Sequence, residues 1–214
     1  MAATRGGLFI SFEGADGAGK SSQIARLADA LRSSGKTVCV TREPGGSIGA
    51  ETIRKLLVEG AAERWSPMSE ALMMYAARID HLERTIRPAL ARGEIVITDR
   101  FADSTMAYQG IAGALGEDFV ARLHALVVGA DNPDLTIILD APIEVGLARA
   151  GRRASAENRF ESKGAGYQEK VRQAFLKIAR DNPQRCVVID ATPAEEVVFE
   201  AVAAAVKKAS LSHQ

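Results

Sequence analysis

The stretch FISFEGADGAGKSSQIARL, residues 9–27, sets Gly14, Gly17, Gly19 and Lys20 between an apolar run and an amphipathic one. Glycine loses the most backbone freedom on folding, so three of them in six residues must serve shape or close access. Gly14-Ala15-Asp16-Gly17-Ala18-Gly19-Lys20-Ser21 fits G-x-x-x-x-G-K-[ST]. That pattern acts when it follows a strand and opens a helix, and both flanks here read that way. Its glycines let backbone N–H groups turn inward around a phosphate, and the helix N-terminus adds partial positive charge. Lys20 would reach β- and γ-phosphate oxygens, Ser22 would extend the cradle, and the Ser21 hydroxyl would bind Mg²⁺. The stretch therefore predicts a nucleoside triphosphate site. A regulatory GTPase would also need a guanine-reading N-K-x-D element, and the sequence contains none.

Outward from this turn, short apolar runs at 8–12, 37–41, 95–98, 135–139 and 186–189 read as buried strands. Between them lie helical patterns at about 20–34, 49–59, 67–92, 117–128, 143–150, 166–181 and 194–209. Alternating strands and helices predict crossovers and a parallel sheet, an α/β fold. The 214 residues suit a single domain over 1–214. The polar, basic stretch from Gly151 to Gly166 reads as a loop on that body.

Three strands end in aspartate, Asp99, Asp140 and Asp190, where ligands of an open parallel sheet gather. Any of them could hold Mg²⁺ through water. Asp99 is preferred because Arg100 follows it, while Asp140 and Asp190 suit turn or cap chemistry. After the second strand, TREPGGS (41–47) puts Arg42 before a sharp turn, as a substrate-binding or a solvated residue. In SEALMMYAARIDHLER (69–84), Met74 and Arg78 stand four apart on one helix face. Arg78 in that apolar setting needs an anionic ligand or a buried acid. Arg149, Arg152, Arg153 and Arg159 are either a solvated run or a closing lid over about 149–166 that supplies charge to a moving phosphoryl group. His81, His124 and His213 show no ligand spacing.

Taken in order, FEGADGAGKSSQ, TREPGG, YAAR, DRF with STMAYQG, and IDAT resemble the motifs of thymidylate kinases of the bacterial type, over residues 8 to about 200. The resemblance implies ATP + dTMP giving ADP + dTDP with Mg²⁺, in the service of dTTP synthesis. It also implies a P-loop NTPase-type three-layer fold, a five-stranded parallel sheet flanked by helices, and a homodimer. It places Asp16 at the sugar 3′-hydroxyl, Arg42 and Arg100 at the dTMP phosphate, and Arg78 at the base. It places Ser104, Thr105 and Gln109 around the base, Tyr108 against the deoxyribose, and Thr192 near the adenine. Gly17 follows Asp16, so the phosphate loop has no arginine there, and the resemblance assigns the catalytic arginine to the lid: Arg153 first, then Arg149 or Arg152. Met74 stands where the family usually has a phenylalanine stacked on thymine. Two other readings stay open: a kinase for another small acceptor, and a nucleotide-dependent switch without a second substrate.

Lys plus Arg equals Asp plus Glu at 27 each, which argues against a general nucleic-acid or membrane binder. No run approaches the ~18 apolar residues of a membrane span. The N-terminus lacks a secretory pattern, and the expected compartment is the cytoplasm. Cys39 and Cys186 sit in apolar runs and read as structural thiols.

Overall fold

A computed structural model of the chain describes residues 6–61, 63–113, 115–150 and 163–212, with side chains 147–150 left aside. Five strands form one parallel sheet: β1 (Phe9–Glu13), β2 (Val38–Arg42), β3 (Ile95–Asp99), β4 (Leu135–Asp140) and β5 (Cys186–Asp190). Their order is β2-β3-β1-β4-β5, with Phe12 opposite Asp99 and Glu13 opposite Ile138. All five β1 residues are buried, because helices cover both faces of the sheet; this is why the run carries no polar alternation.

Nine helices accompany the sheet among the described residues: α1 (Lys20–Ser33), α2 (Ile48–Val58), α3 (Pro67–His81), α4 (Arg87–Ala91), α5 (Ala102–Thr105), α6 (Glu117–Val127), α7 (Ile143–Ala150), α8 (Ala165–Asp181) and α9 (Glu195–Ser212). On one face, Ile10, Phe12, Ile137 and Leu139 pack with Leu27 of α1 and Val202 of α9. On the other, Phe9 and Val96 pack with Tyr75, Leu82 and Val120, and Ile138 packs with Phe175 of α8. Each fully buried Phe or Ile contributes roughly 1.5–3 kcal/mol of apolar transfer.

The helical pattern expected over 67–92 is a continuous path with a π-turn at Leu82–Ile86 between α3 and α4. Pro88 follows that turn, has no N–H for the Arg84 carbonyl and crowds it, so the ladder widens. Residues 102–111, outside the strand and helix patterns of the sequence, form α5 and a π-turn at Met106–Ile111. The segment is too short for periodicity to register. The cysteines are free and stand on opposite edge strands, four strand spacings or about 19 Å apart, so they cannot pair. Burial, with Asp103 adding to it, pushes the Cys186 thiol up to about 12, as suits an inert structural thiol. Among the described residues, no helix is long and apolar enough to cross a membrane.

Candidate active site

The carboxyl ends of β1, β2 and β3 open into one cleft of roughly 400 Å³, a size that suits a small ligand. Asp16, Gly17, Gly19, Lys20 and Ser21 line it from the β1 side, Arg42 from β2, and Asp99 and Arg100 from β3. Met74 and Arg78 reach it from α3, and Ser104, Thr105, Tyr108 and Gln109 from the segment after β3.

The phosphate loop is shaped by backbone proximity. At Gly14 (φ 128°) a Cβ would lie 2.3 Å from the Leu139 carbonyl oxygen, and at Gly17 (φ 77°) 2.0 Å from that of Gly146. Only glycine fits between β4, the start of α7 and the cleft. Ala15 and Ala18 are buried behind the loop, and Ser22 stands half-buried in the first turn of α1. Lys20 is folded over its own loop, donating to the carbonyls of Gly14 (3.1 Å) and Ala15 (2.9 Å). Burial, reinforced by Arg100, lowers its pKa to about 8 against the pull of Asp99, Asp16 and Glu13. Ser21 donates to Asp99 Oδ2 at 3.1 Å, which brings two hard oxygen donors to one side of the loop.

Arg100 is the hub of the site. Its φ is +70°, the left-handed region a non-glycine residue seldom adopts outside functional positions. Nη2 donates to Asp16 Oδ1 at 2.6 Å, and Nη1 to the Gly14 carbonyl (3.1 Å) and Ser104 Oγ (3.0 Å). The Tyr108 hydroxyl donates to Asp16 Oδ2 at 3.3 Å. Burial works to raise the Asp16 carboxyl, but Arg100, Lys20 and these hydrogen bonds outweigh it and hold it below the usual carboxylate value. The partners of Asp16 are Arg100 and Tyr108.

Arg78 is 1% exposed. Its Nε donates to Glu43 Oε2 at 2.7 Å, and its Nη2 to Thr105 Oγ1 (3.0 Å) and the Phe101 carbonyl (3.2 Å). It stacks within 4.6 Å of the Tyr75 ring centroid, and its Nη1 is buried with no hydrogen-bond partner. Of the two sequence alternatives the structure shows the buried acid, Glu43, and the side chain also lines the cleft. Gln109 Nε2 donates to Glu70 Oε1 at 2.9 Å. Arg42 is half exposed and reaches Glu51 at 3.2 Å.

Other expected residues fall elsewhere. Thr192 is not among the residues lining the cleft; its N–H and hydroxyl donate to Asp190 Oδ1, the cap chemistry expected of that aspartate. Asp140 is different: it holds a bidentate pair with Arg172 at 2.7 and 2.9 Å, an inter-element ion pair where turn chemistry was expected. Arg152, Arg153 and Arg159 and the side chain of Arg149, with most of the expected lid, lie outside the described residues.

Sequence reasoning missed Glu13, Glu43, Arg54 and His81. Glu13 is fully buried, accepting from the Phe101 N–H (2.7 Å) and Ser104 Oγ (2.6 Å). Burial, then Asp103, raises its pKa to about 8 against the pull of Arg100. One signal was available, a lone acid closing the otherwise apolar FISFE. Arg54 lines the cleft from α2 and donates to the Pro44 carbonyl at 2.7 Å, after a cis Glu43–Pro44 peptide.

The family model described as thymidylate kinase matches residues 12–202. The chain is 59% identical to the thymidylate kinase of Caulobacter vibrioides, over 92% of this chain and 94% of that one. It is 54% identical to the thymidylate kinase of Dinoroseobacter shibae, over 94% and 97%. The crystal structure of thymidylate kinase from Ehrlichia chaffeensis superposes with a TM-score of 0.77 at 32% identity, covering 94% of this chain and 98% of that one. A family match over residues 12–202 and more than half identity to two relatives across nearly the whole chain place it in the thymidylate kinase family.

Proposed function

We propose that the chain transfers the γ-phosphoryl group of ATP to the phosphate of dTMP, giving ADP and dTDP. The observation that carries this reading is the junction of two sites in one cleft. The triphosphate loop meets Arg42, Arg78 and Arg100, guanidinium donors held by neighbouring acids and placed for a polar second substrate that a switch protein does not need. An acceptor phosphate oxygen attacks the γ-phosphorus, and the bond to the β–γ bridging oxygen breaks with its electrons leaving on ADP. The acceptor phosphate is largely dianionic near neutral pH, since its second pKa is about 6, so the attack needs no general base. The task left to the protein is positioning and charge.

In this reading Lys20 and the loop amides hold the β- and γ-phosphates, and Arg100 and Arg42 hold the acceptor phosphate. Arg78, with one guanidinium donor to spare, reads the base beside Thr105, Ser104 and Gln109. Asp16 takes the sugar hydroxyl and Tyr108 backs the deoxyribose. Met74 covers the base face, and Thr192 lies toward the adenine. Mg²⁺ fits the donors present: Ser21 and Asp99 bring a hydroxyl and a carboxylate together, and this ion takes few protein ligands beside phosphates and water. Ser21 and Asp99 would hold it, and it would supply charge to the β- and γ-oxygens.

Arg153 of the lid is assigned to the transferring phosphoryl group, with Arg149 and Arg152 behind it. Arg153→Ala should lower turnover by about 10³-fold and leave dTMP affinity near the parent value. Equal turnover would move the role to a neighbouring arginine. The chain acts as one domain and as a homodimer in the cytoplasm. Ile48 and Leu56 on α2 and Met68 and Leu72 on α3 are exposed at helical spacing, which supports a dimer face; sedimentation velocity tests it. ADP release assayed with a panel of nucleoside monophosphates tests the function. dTMP should stimulate most, and greater stimulation by another acceptor would overturn the reading.

A further inference from the structure

Arg78 reaches the cleft from α3, but its direction is set from behind. Glu43 takes the Arg78 Nε on Oε2 at 2.7 Å, and its Oε1 lies 3.0 Å from His81 Nδ1. His81 Nε2 lies 2.7 Å from Thr41 Oγ1. The result is one hydrogen-bonded chain, Thr41–His81–Glu43–Arg78, running from the end of β2 to the cleft. Three of its four members, His81, Glu43 and Arg78, are buried, with His81 0% exposed. A carboxylate paired with a guanidinium only accepts, so Nδ1 carries the hydrogen it shares with Glu43, and Nε2 faces a hydroxyl that can donate or accept.

The imidazole also lies under the turn that follows β2. A Cβ at Gly46 (φ 83°) would lie 2.3 Å from both His81 Nε2 and Thr41 Oγ1, so the turn backbone rests directly on that hydrogen bond. One turn further along the helical path, Thr85 Oγ1 donates to the Gly46 carbonyl at 2.7 Å. The turn thus seated carries Arg42 at its start and receives Arg54 at Pro44. Space-filling alone would be met by a leucine or phenylalanine, with no buried ring nitrogens to satisfy. Here each ring nitrogen meets a partner, and each partner leads to a different arginine of the cleft.

We propose that His81 is a positioning residue for acceptor recognition. Through Glu43 it fixes the guanidinium that faces the acceptor's base, and through Thr41 and Gly46 it seats the turn that presents Arg42 to the acceptor's phosphate. The inference rests on the dTMP reading and deepens it. His81 does not line the cleft, so its removal acts through Glu43 and Thr41 on the acceptor side and spares the triphosphate side.

His81→Phe keeps a ring and removes both hydrogen bonds. The KM for dTMP should rise by about 10- to 100-fold, the scale of a misplaced orienting group, with the KM for ATP at the parent value. His81→Asn, which can keep an N–H toward Glu43, should recover part of that loss. In an Arg78→Ala background His81→Phe should cost much less than in the parent, because the two act through one contact. Thr41→Val, a milder change at a half-buried site, tests the second arm if His81→Phe fails to fold, and should raise the dTMP KM by a smaller factor. Equal rises in both KM values, or a lowered Tm with both KM values at parent level, would show that the histidine only fills space and would overturn the inference. A parent enzyme that releases no ADP on addition of dTMP would strike the functional reading first, before any variant is compared, and this inference with it.

Discussion

The donor side and the acceptor side of the cleft are built from different material. Around the triphosphate loop the shape comes from backbone: Gly14 and Gly17 lie where a Cβ would strike the carbonyls of Leu139 and Gly146, and α1 opens directly behind them. On the acceptor side the shape comes from side chains tied in two hydrogen-bonded chains, Thr41–His81–Glu43–Arg78 and Asp16–Arg100–Ser104–Glu13. Backbone amides are present whatever the side chains, and glycine spacing alone aims them. A guanidinium is aimed only if its partners are in place, and those partners come from β1, β2, α3 and the segment after β3. The loop side is thus shaped by close backbone contacts, while the other side depends also on Thr41, His81 and Glu13, which do not line the cleft.

The contrast can be broken at several points. Lys20→Ala should be the most damaging change, lowering turnover by about 10³-fold or more in an ADP-release assay, since it removes the charge meant for the transferring group. Its fold should survive, because among the described residues Lys20 donates to carbonyls of its own loop only. Arg78→Ala should behave oppositely. It leaves the buried Glu43 without its cation and should cost about 3–5 kcal/mol of stability in urea unfolding, together with a large rise in the dTMP KM. An Arg78→Ala protein as stable as the parent would show that the acceptor side is not held by this network.

Glu13 supplies a pH signature. Its carboxyl is raised in the folded chain to about 8 from an ordinary value of 4.5, so the folded state binds the extra proton across that window. Stability should then fall as pH rises from about 4.5 to 8. Glu13→Gln should flatten that slope in thermal melts taken from pH 5 to 8.5, and an unchanged slope would place the titration elsewhere. The smallest effect is expected at Met74, where a thioether covers the space the family usually gives to a phenylalanine ring. Met74→Phe should tighten dTMP binding by about 1 kcal/mol, measurable by calorimetry.

Local pattern made the donor side readable. G-x-x-x-x-G-K-S spans eight consecutive residues, and its flanking strand and helix carry their own periodicities. The five strands and the helices opened by Lys20, Ile48 and Pro67 were legible for the same reason. Asp99 and Arg100 could be read as a pair because they are neighbours. The acceptor side was readable only through the order of several motifs, and the groups behind those motifs were not. Glu43 looked like one residue of a turn, and His81 showed no partner at ligand spacing, because its partners stand 38 and 40 positions away. Asp140 was misassigned because Arg172, its partner, arrives from α8, 32 residues later.

The sequence by itself determined the class of fold, the glycine-rich loop and the sheet edge at which the cleft opens, since each depends on spacing over a few residues or on burial period. Tertiary structure alone decided which acids neutralise Arg78 and Arg100, that Arg100 takes a left-handed backbone, and that a buried histidine links two walls of one cleft. Charge pairing in a low-dielectric interior is a matter of distance in space, and the residues that meet at 3 Å there are separated along the chain by loops and helices that carry no mark of the meeting.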